Sequence, residues 1–103
     1  MNRCALAEDE NRLVGFLVWQ ETDFEAEVLQ IAVLPSYQGQ KIATALFDFL
    51  PADKEIFLEV RESNRPALLF YKKEKFEEIA RRKAYYHAPV EDAIVMKRED
   101  HER

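Results

Sequence analysis

IAVLPSYQGQKIATALFDFL, residues 31–50, contains a change of period. Ile31 to Leu34 continue an apolar run that starts at Val28 (VLQIAVL), the pattern of a strand covered on both faces, and Pro35 stops it. Ser36–Tyr37–Gln38–Gly39–Gln40 follows as a polar turn around the second of only 2 glycines. From Lys41 the spacing becomes helical: Ile42, Ala45, Leu46 and Phe49 fall at i, i+3, i+4 and i+7 of a helix that Pro51 ends. Strand, polar glycine turn and helix start form a general recipe for holding an anion. The first N–H groups of a helix lack internal acceptors, and the helix dipole is positive there. The same order also joins elements that bind nothing, so the junction alone leaves both readings open.

Upstream of this stretch, Asn2–Ala7 and Leu13–Gln20 (LVGFLVWQ) read as strands joined by the polar turn Glu8–Asn11, and Glu21–Glu27 reads as an acidic connector. Downstream, Glu55–Val60 alternates, with Ile56, Leu58 and Val60 facing one way and Phe57 and Glu59 the other. Ser63–Asn64 supplies a helix N-cap, Pro66 is tolerated in the first turn, and Ala67, Phe70 and Tyr71 share a helical face up to Lys73. Phe76–Tyr85 and Val90–Lys97 read as closing strands around His87–Ala88–Pro89, and a charged tail runs from Asp100 to Arg103. The predicted order is β-β-β-α-β-α-β-β, an α/β fold with helices packed on one mixed sheet, in a single domain over residues 1–103.

Totals narrow the chemistry. A net charge of −5 argues against nucleic acid as the main partner, since phosphate backbones demand a basic footprint. No apolar run is long enough to span a bilayer. Cys4 is the only cysteine, expected to be a small buried apolar residue in a reducing, cytoplasmic setting, and His87 and His101 provide no zinc-ligand spacing, so no metal is expected. Acids gather in residues 8–27 and bases in 61–83, which reads as solvated faces, the basic one suited to attracting an anionic cofactor.

Beyond these readings, the stretch resembles motif A of the GNAT superfamily of N-acetyltransferases: a strand with a Val-x-Pro-like end, then Gln/Arg-x-x-Gly-x-Gly/Ala opening a helix, met here by Gln38, Lys41 and Ala43. LEVRESNRPALLFYKKEKF (residues 58–76) resembles motif B, and RRKAYYHAPVEDAIVMK (residues 81–97) is similar to the closing hairpin of the ribosomal-protein-alanine N-acetyltransferases. The resemblance spans residues 28–97 and places an acetyl-CoA-binding core at about 28–73. It implies that Ile31, Ala32 and Val33 pair with the pantetheine arm as an extra strand. Gly39, Gln40, Lys41, Ile42, Ala43 and Thr44 would offer N–H groups to the pyrophosphate, and Asn64 would touch the cofactor near the thioester. Glu59 becomes the general base and Tyr71 the general acid, in transfer to a protein N-terminal α-amino group, with a small-subunit ribosomal protein as partner. An amine protonated at neutral pH needs such a base, and burial would tune its carboxylate.

Three departures from the family pattern bear on this. Lys41 stands where motif A has glycine: harmless at negative φ, damaging if the turn needs positive φ. Lys75 stands at the glycine before Phe76, a helix C′ position, where a left-handed lysine costs about 1 kcal/mol. The family's N-terminal strand and two helices find no match, so the sheet is expected to be partly uncovered and the chain to self-associate as a dimer. A small-amine acceptor, or a CoA-binding chain with impaired catalysis, remain the alternatives.

Overall fold

A computed structural model describes residues 1–99; the expected charged tail from Asp100 lies outside the described residues. Strands β1 (Asn2–Asp9), β2 (Arg12–Glu21) and β3 (Glu25–Val33) precede helix α1 (Ile42–Phe47). Strand β4 (Glu55–Arg61), helix α2 (Arg65–Lys73) and strands β5 (Glu77–Tyr86) and β6 (Glu91–Arg98) complete the predicted order. One six-stranded sheet runs β1-β2-β3-β4-β6-β5. Every pairing is antiparallel except β3 with β4.

Several boundaries move from their sequence positions. The first turn contracts to Glu10–Asn11, both at positive φ (51° and 66°), the two-residue geometry whose twist matches flanking strands. The acidic connector is shorter than its charge suggests. Glu25, Ala26 and Glu27 belong to β3 and supply all of its pairing with β4.

Alternation in β4 is as expected: Ile56, Leu58 and Val60 are buried, with Phe57 and Glu59 half-exposed on the other side. In α1 the period is right and the phase is wrong. Leu46, Phe47 and, just beyond the helix, Leu50 are buried, whereas Ala45 is exposed and Phe49 is 64% exposed. Apolar residues surround this segment on nearly every side, so spacing could not choose a face. Packing chose Phe47, whose ring meets Phe70 at 5.2 Å, Phe76 at 5.9 Å and Tyr71 at 6.0 Å. Those contacts lock α1 to α2, and α1 in turn lies on β1, β2 and β3.

The end of α2 carries the anticipated strain. Lys75 adopts φ 76°, its N–H reaching the Lys72 carbonyl (3.1 Å) and that of Phe76 the Tyr71 carbonyl (2.9 Å). These two bonds satisfy carbonyls of the last turn in a Schellman motif, and the Tyr71 and Phe76 rings close it at 6.0 Å.

The sheet face turned away from α1 is less well covered. Ala5 and Leu17 pair on the buried side, while Leu6, opposite Phe16, is 59% exposed. Cys4, opposite Val18, is exposed too, which corrects the expectation of a buried thiol: it occupies an outward position on an edge strand.

Candidate functional site

The parallel ladder between β3 and β4 consists of Glu25–Glu55, Ala26–Ile56 and Glu27–Phe57, and then stops. A register shift in the β2 pairing leaves Leu29 as an extra residue of β3, opposite the step from Val18 to Trp19. A bulge of this kind bends its strand and increases the local twist. Past it, β3 follows β2 while β4 follows β6, and the two centre strands part. Backbone groups of Leu29–Val33 that face β4 therefore have no strand to pair with among the described residues.

At the carboxyl ends of these diverging strands lies a cavity of about 630 Å³ between the starts of α1 and α2. It brings together all the predicted site residues except Gln40 and Glu59: Ile31, Ala32, Val33, Gly39, Lys41, Ile42, Ala43, Thr44, Asn64 and Tyr71. Tyr37, Gln38, Pro66, Ala67, Phe70 and Lys73 complete the wall. No carboxylate is among these residues, although the chain has 20 acids against 15 lysines and arginines.

The turn is held from both sides. Gln38 donates its side-chain amide to the Val33 carbonyl at 3.2 Å, tying the turn to the end of β3. The Tyr37 hydroxyl donates to the Asp9 carboxylate at 2.7 Å, tying it to the β1–β2 hairpin and pushing the phenol above its ordinary value. Gly39 has φ 84° and Lys41 φ 62°. The helix begins at Ile42, not at Lys41 as the sequence suggests, and Lys41 is its left-handed N-cap. The turn thus imposes the positive φ that motif A meets with glycine, and a lysine bears it. The first helical bond runs from Ala45 N–H to the Lys41 carbonyl (3.0 Å), leaving the N–H groups of Ile42, Ala43 and Thr44 without intrahelical acceptors. Gln40 turns away: its side chain donates to the Ser36 carbonyl at 3.4 Å.

Asn64 caps α2, its side-chain oxygen accepting from Ala67 N–H at 3.3 Å, which leaves its side-chain NH2 to donate to a ligand. Tyr71 is buried at the cavity wall, and that burial, with a smaller contribution from Tyr86, raises its phenol pKa. A phenol so placed stays protonated at neutral pH and can donate.

Glu59 lies on β4 beyond the last pair with β3, on the side of the sheet away from Leu58 and Val60. Its side chain is 20% exposed, not buried as expected, and Arg82 of the closing hairpin donates to its carboxylate at 2.7 Å. Glu59 and Tyr71 thus lie on opposite sides of the sheet: Tyr71 lines the cavity wall and Glu59 does not. Tyr85 and Tyr86 meet edge to face at 5.1 Å, the Arg82 guanidinium lying 4.4 Å from one ring and that of Arg61 4.3 Å from the other. Sequence reading passed over Arg82 and Lys73, which were counted only within a basic run.

The acetyltransferase (GNAT) domain matches residues 1–78 of this chain. The chain belongs to the GNAT acetyltransferase family. It is 38% identical over 97 residues to the [ribosomal protein bS18]-alanine N-acetyltransferase of Haemophilus influenzae, an alignment covering 85% of this chain and 66% of that protein. The chain thus spans just under two thirds of that relative's length. The crystal structure of the Escherichia coli ribosomal-protein-S18-alanine N-acetyltransferase superposes with a TM-score of 0.87 at 30% identity, covering 96% of this chain and 69% of that one. A GNAT acetyltransferase from Elizabethkingia anophelis, solved with acetyl-CoA bound, gives a TM-score of 0.81 at 25% identity over 95% and 76% of the two chains. Within the GNAT fold, the diverging strands and the left-handed turn are the features that shape the cavity.

Proposed function

We propose that this chain is the cofactor-binding part of an acetyltransferase that moves an acetyl group from acetyl-CoA to a protein N-terminal α-amino group, with the alanine terminus of a ribosomal protein as acceptor. One observation carries the reading: an unpaired strand edge and a carboxylate-free cavity meet where two parallel strands diverge. An extended amide-bearing arm fits the edge at Ile31–Val33 as an added strand, and phosphates fit the amide-rich turn Gly39–Thr44. The acceptor's identity rests on the names of the relatives and on the similarity of the closing hairpin.

In this reading Glu59, oriented by Arg82, takes a proton from the incoming ammonium, directly or through a water. The freed amine nitrogen bonds to the thioester carbonyl carbon. As the carbon–sulfur bond breaks, Tyr71 gives its proton to the departing thiolate. The second proton that the nitrogen sheds on becoming an amide restores the phenol, and Glu59 passes its own to solvent, so the proton count closes. An exposed free thiol at Cys4 fits a reducing compartment, and we place the reaction in the cytoplasm. The apolar face around Leu6, Phe16 and Val18 supports self-association through a second copy. A monomer by light scattering at tens of micromolar would overturn that part.

Thiol release with acetyl-CoA and an alanine-initiated basic peptide tests the activity. Glu59→Gln is expected to lower turnover by about 10²-fold or more while leaving the thermal shift with acetyl-CoA intact. Undiminished turnover removes Glu59 from the mechanism. Cofactor binding without any turnover favours a CoA-binding chain with impaired catalysis, a reading that the Glu59–Arg82 pair and the strained Lys41 support.

A further inference from the structure

Another cavity, of about 440 Å³, lies where α2 ends, between the start of β5 and the end of β6, and shares no residue with the one between the helix starts. Lys72, Lys75 and Arg98 form its basic wall, and Ile79 offers exposed apolar surface. Lys97 and Glu99 also line it and pair with each other at 3.1 Å. With Glu77 the only other acid, four bases face two acids there, an excess of two positive charges. Neither Lys72 nor Lys75 has an ion pair or a side-chain hydrogen bond among the described residues.

Arg98 decides what this wall is for. It is 7% exposed, the only charged residue so buried among the described residues. Its Nη1 donates to the Glu74 carbonyl at the end of α2 (3.4 Å), and its guanidinium lies 5.3 Å from the Phe76 ring. Its Nε–H is sealed from solvent and has no acceptor, and Nη2 has none either among the described residues. No carboxylate of these residues reaches ion-pair distance; Glu74 and Asp48 act on it only from farther away. A guanidinium stays charged at neutral pH, and burying one without a counter-ion is costly. The helix carbonyl and the ring meet part of that demand. What they leave unmet is the edge formed by Nε–H and Nη2–H, two parallel donors that fit two oxygens of one oxyanion.

We propose that this cavity is a phosphate-binding site, separate from the acetyl-CoA cavity: the free edge of Arg98 takes two oxygens of one phosphate group, and the Lys72 and Lys75 ammoniums neutralise it from the rim. The excess of two positive charges matches a phosphate dianion better than a monocarboxylate. The group is either free phosphate or a small phosphomonoester whose organic part rests on Ile79.

The arginine Nε–H resonances of the intact, 15N-labelled chain test this locally, with Arg98 assigned by the signal missing from Arg98→Lys. Inorganic phosphate, at a pH where it is mostly dianionic, should move the Arg98 signal along a saturating curve, while chloride at matched ionic strength should not. Lys72→Gln combined with Lys75→Gln, both at exposed positions, should weaken that saturation on the order of tenfold. Those two changes keep the test decisive should Arg98→Lys fail to fold. Phenyl phosphate binding more tightly than inorganic phosphate assigns the site to a phosphomonoester; equal or weaker binding assigns it to the free ion. Acetate saturating as tightly as phosphate overturns the phosphate assignment. An Arg98 signal that stays still or moves without saturating overturns the site, as does a double-lysine variant that binds like wild type. None of these results bears on whether acetyl-CoA occupies the other cavity.

Discussion

Replacing Lys75 by glycine should make this protein more stable, and the structure sets the size of the gain. Lys75 occupies the C′ position of α2 at φ 76°, where contact between Cβ and the backbone costs an L-residue about 1–2 kcal/mol. Its side chain is exposed and takes part in no ion pair among the described residues, so its removal forfeits little. Both Schellman hydrogen bonds come from main-chain N–H groups and survive the change. Glycine gives back about 0.5–1 kcal/mol through its freer unfolded chain. The net gain is about 0.5–1 kcal/mol, which corresponds to a rise of roughly 2–8 °C in Tm for a domain near 100 residues. Urea unfolding at fixed pH measures it as a higher midpoint at unchanged slope. Lys75→Ala is the control, because alanine keeps the left-handed penalty and should leave the midpoint near wild type. If the glycine variant is no more stable than the alanine variant, the strain assigned to this turn is absent.

Phe47→Ala removes the ring that meets Phe70, Tyr71 and Phe76 and should cost about 3–5 kcal/mol, read from the urea midpoint; a loss below 1 kcal/mol would mean the cluster is not the pivot between the helices. Tyr71→Phe should preserve stability and reduce turnover by about 10²-fold. Because burial raises the phenol above its ordinary value of 10.0, the alkaline fall in wild-type kcat should begin beyond that pH and vanish in the variant. Glu21 is held below 4.5 chiefly by the hydrogen bond from Lys54, then by that from Trp19. Its stabilisation is therefore complete above pH 4.5 and is lost as pH falls through the depressed folded-state value. Glu21→Gln should flatten that acid limb of the urea midpoint; parallel curves for variant and wild type would exclude the role.

Much of this architecture was legible because local patterns and tertiary demands agree. The alternation of Ile56, Leu58 and Val60 names the buried side of β4, and Asn64 with Pro66 marks the start of α2. The cavity residues were readable through a motif in which glycine turn and helix start must be adjacent in sequence. Features set by neighbours were hidden. The phase of α1 depends on which aromatic α2 offers to Phe47, and no spacing within residues 42–50 encodes that. Glu59 was expected to be buried, but its side chain is 20% exposed and its ion-pair partner, Arg82, lies on the last hairpin. The left-handed turn at Lys41 follows from the path of the chain between β3 and α1, and a lysine conceals what a glycine would have announced.

The three-pair ladder between β3 and β4 also has a mechanical meaning. It is a short zip between two larger panels, one made of β1, β2 and β3 and the other of β4, β6 and β5. Subglobal opening follows the weakest cooperative boundary, and here that boundary crosses the middle of the sheet. A guest that lay along the free edge of β3 and touched α2 would stitch the panels together above the point where their own bonds end. Amide exchange at Ala26 and Ile56 should then slow on binding, although this middle pair of the ladder does not touch the guest.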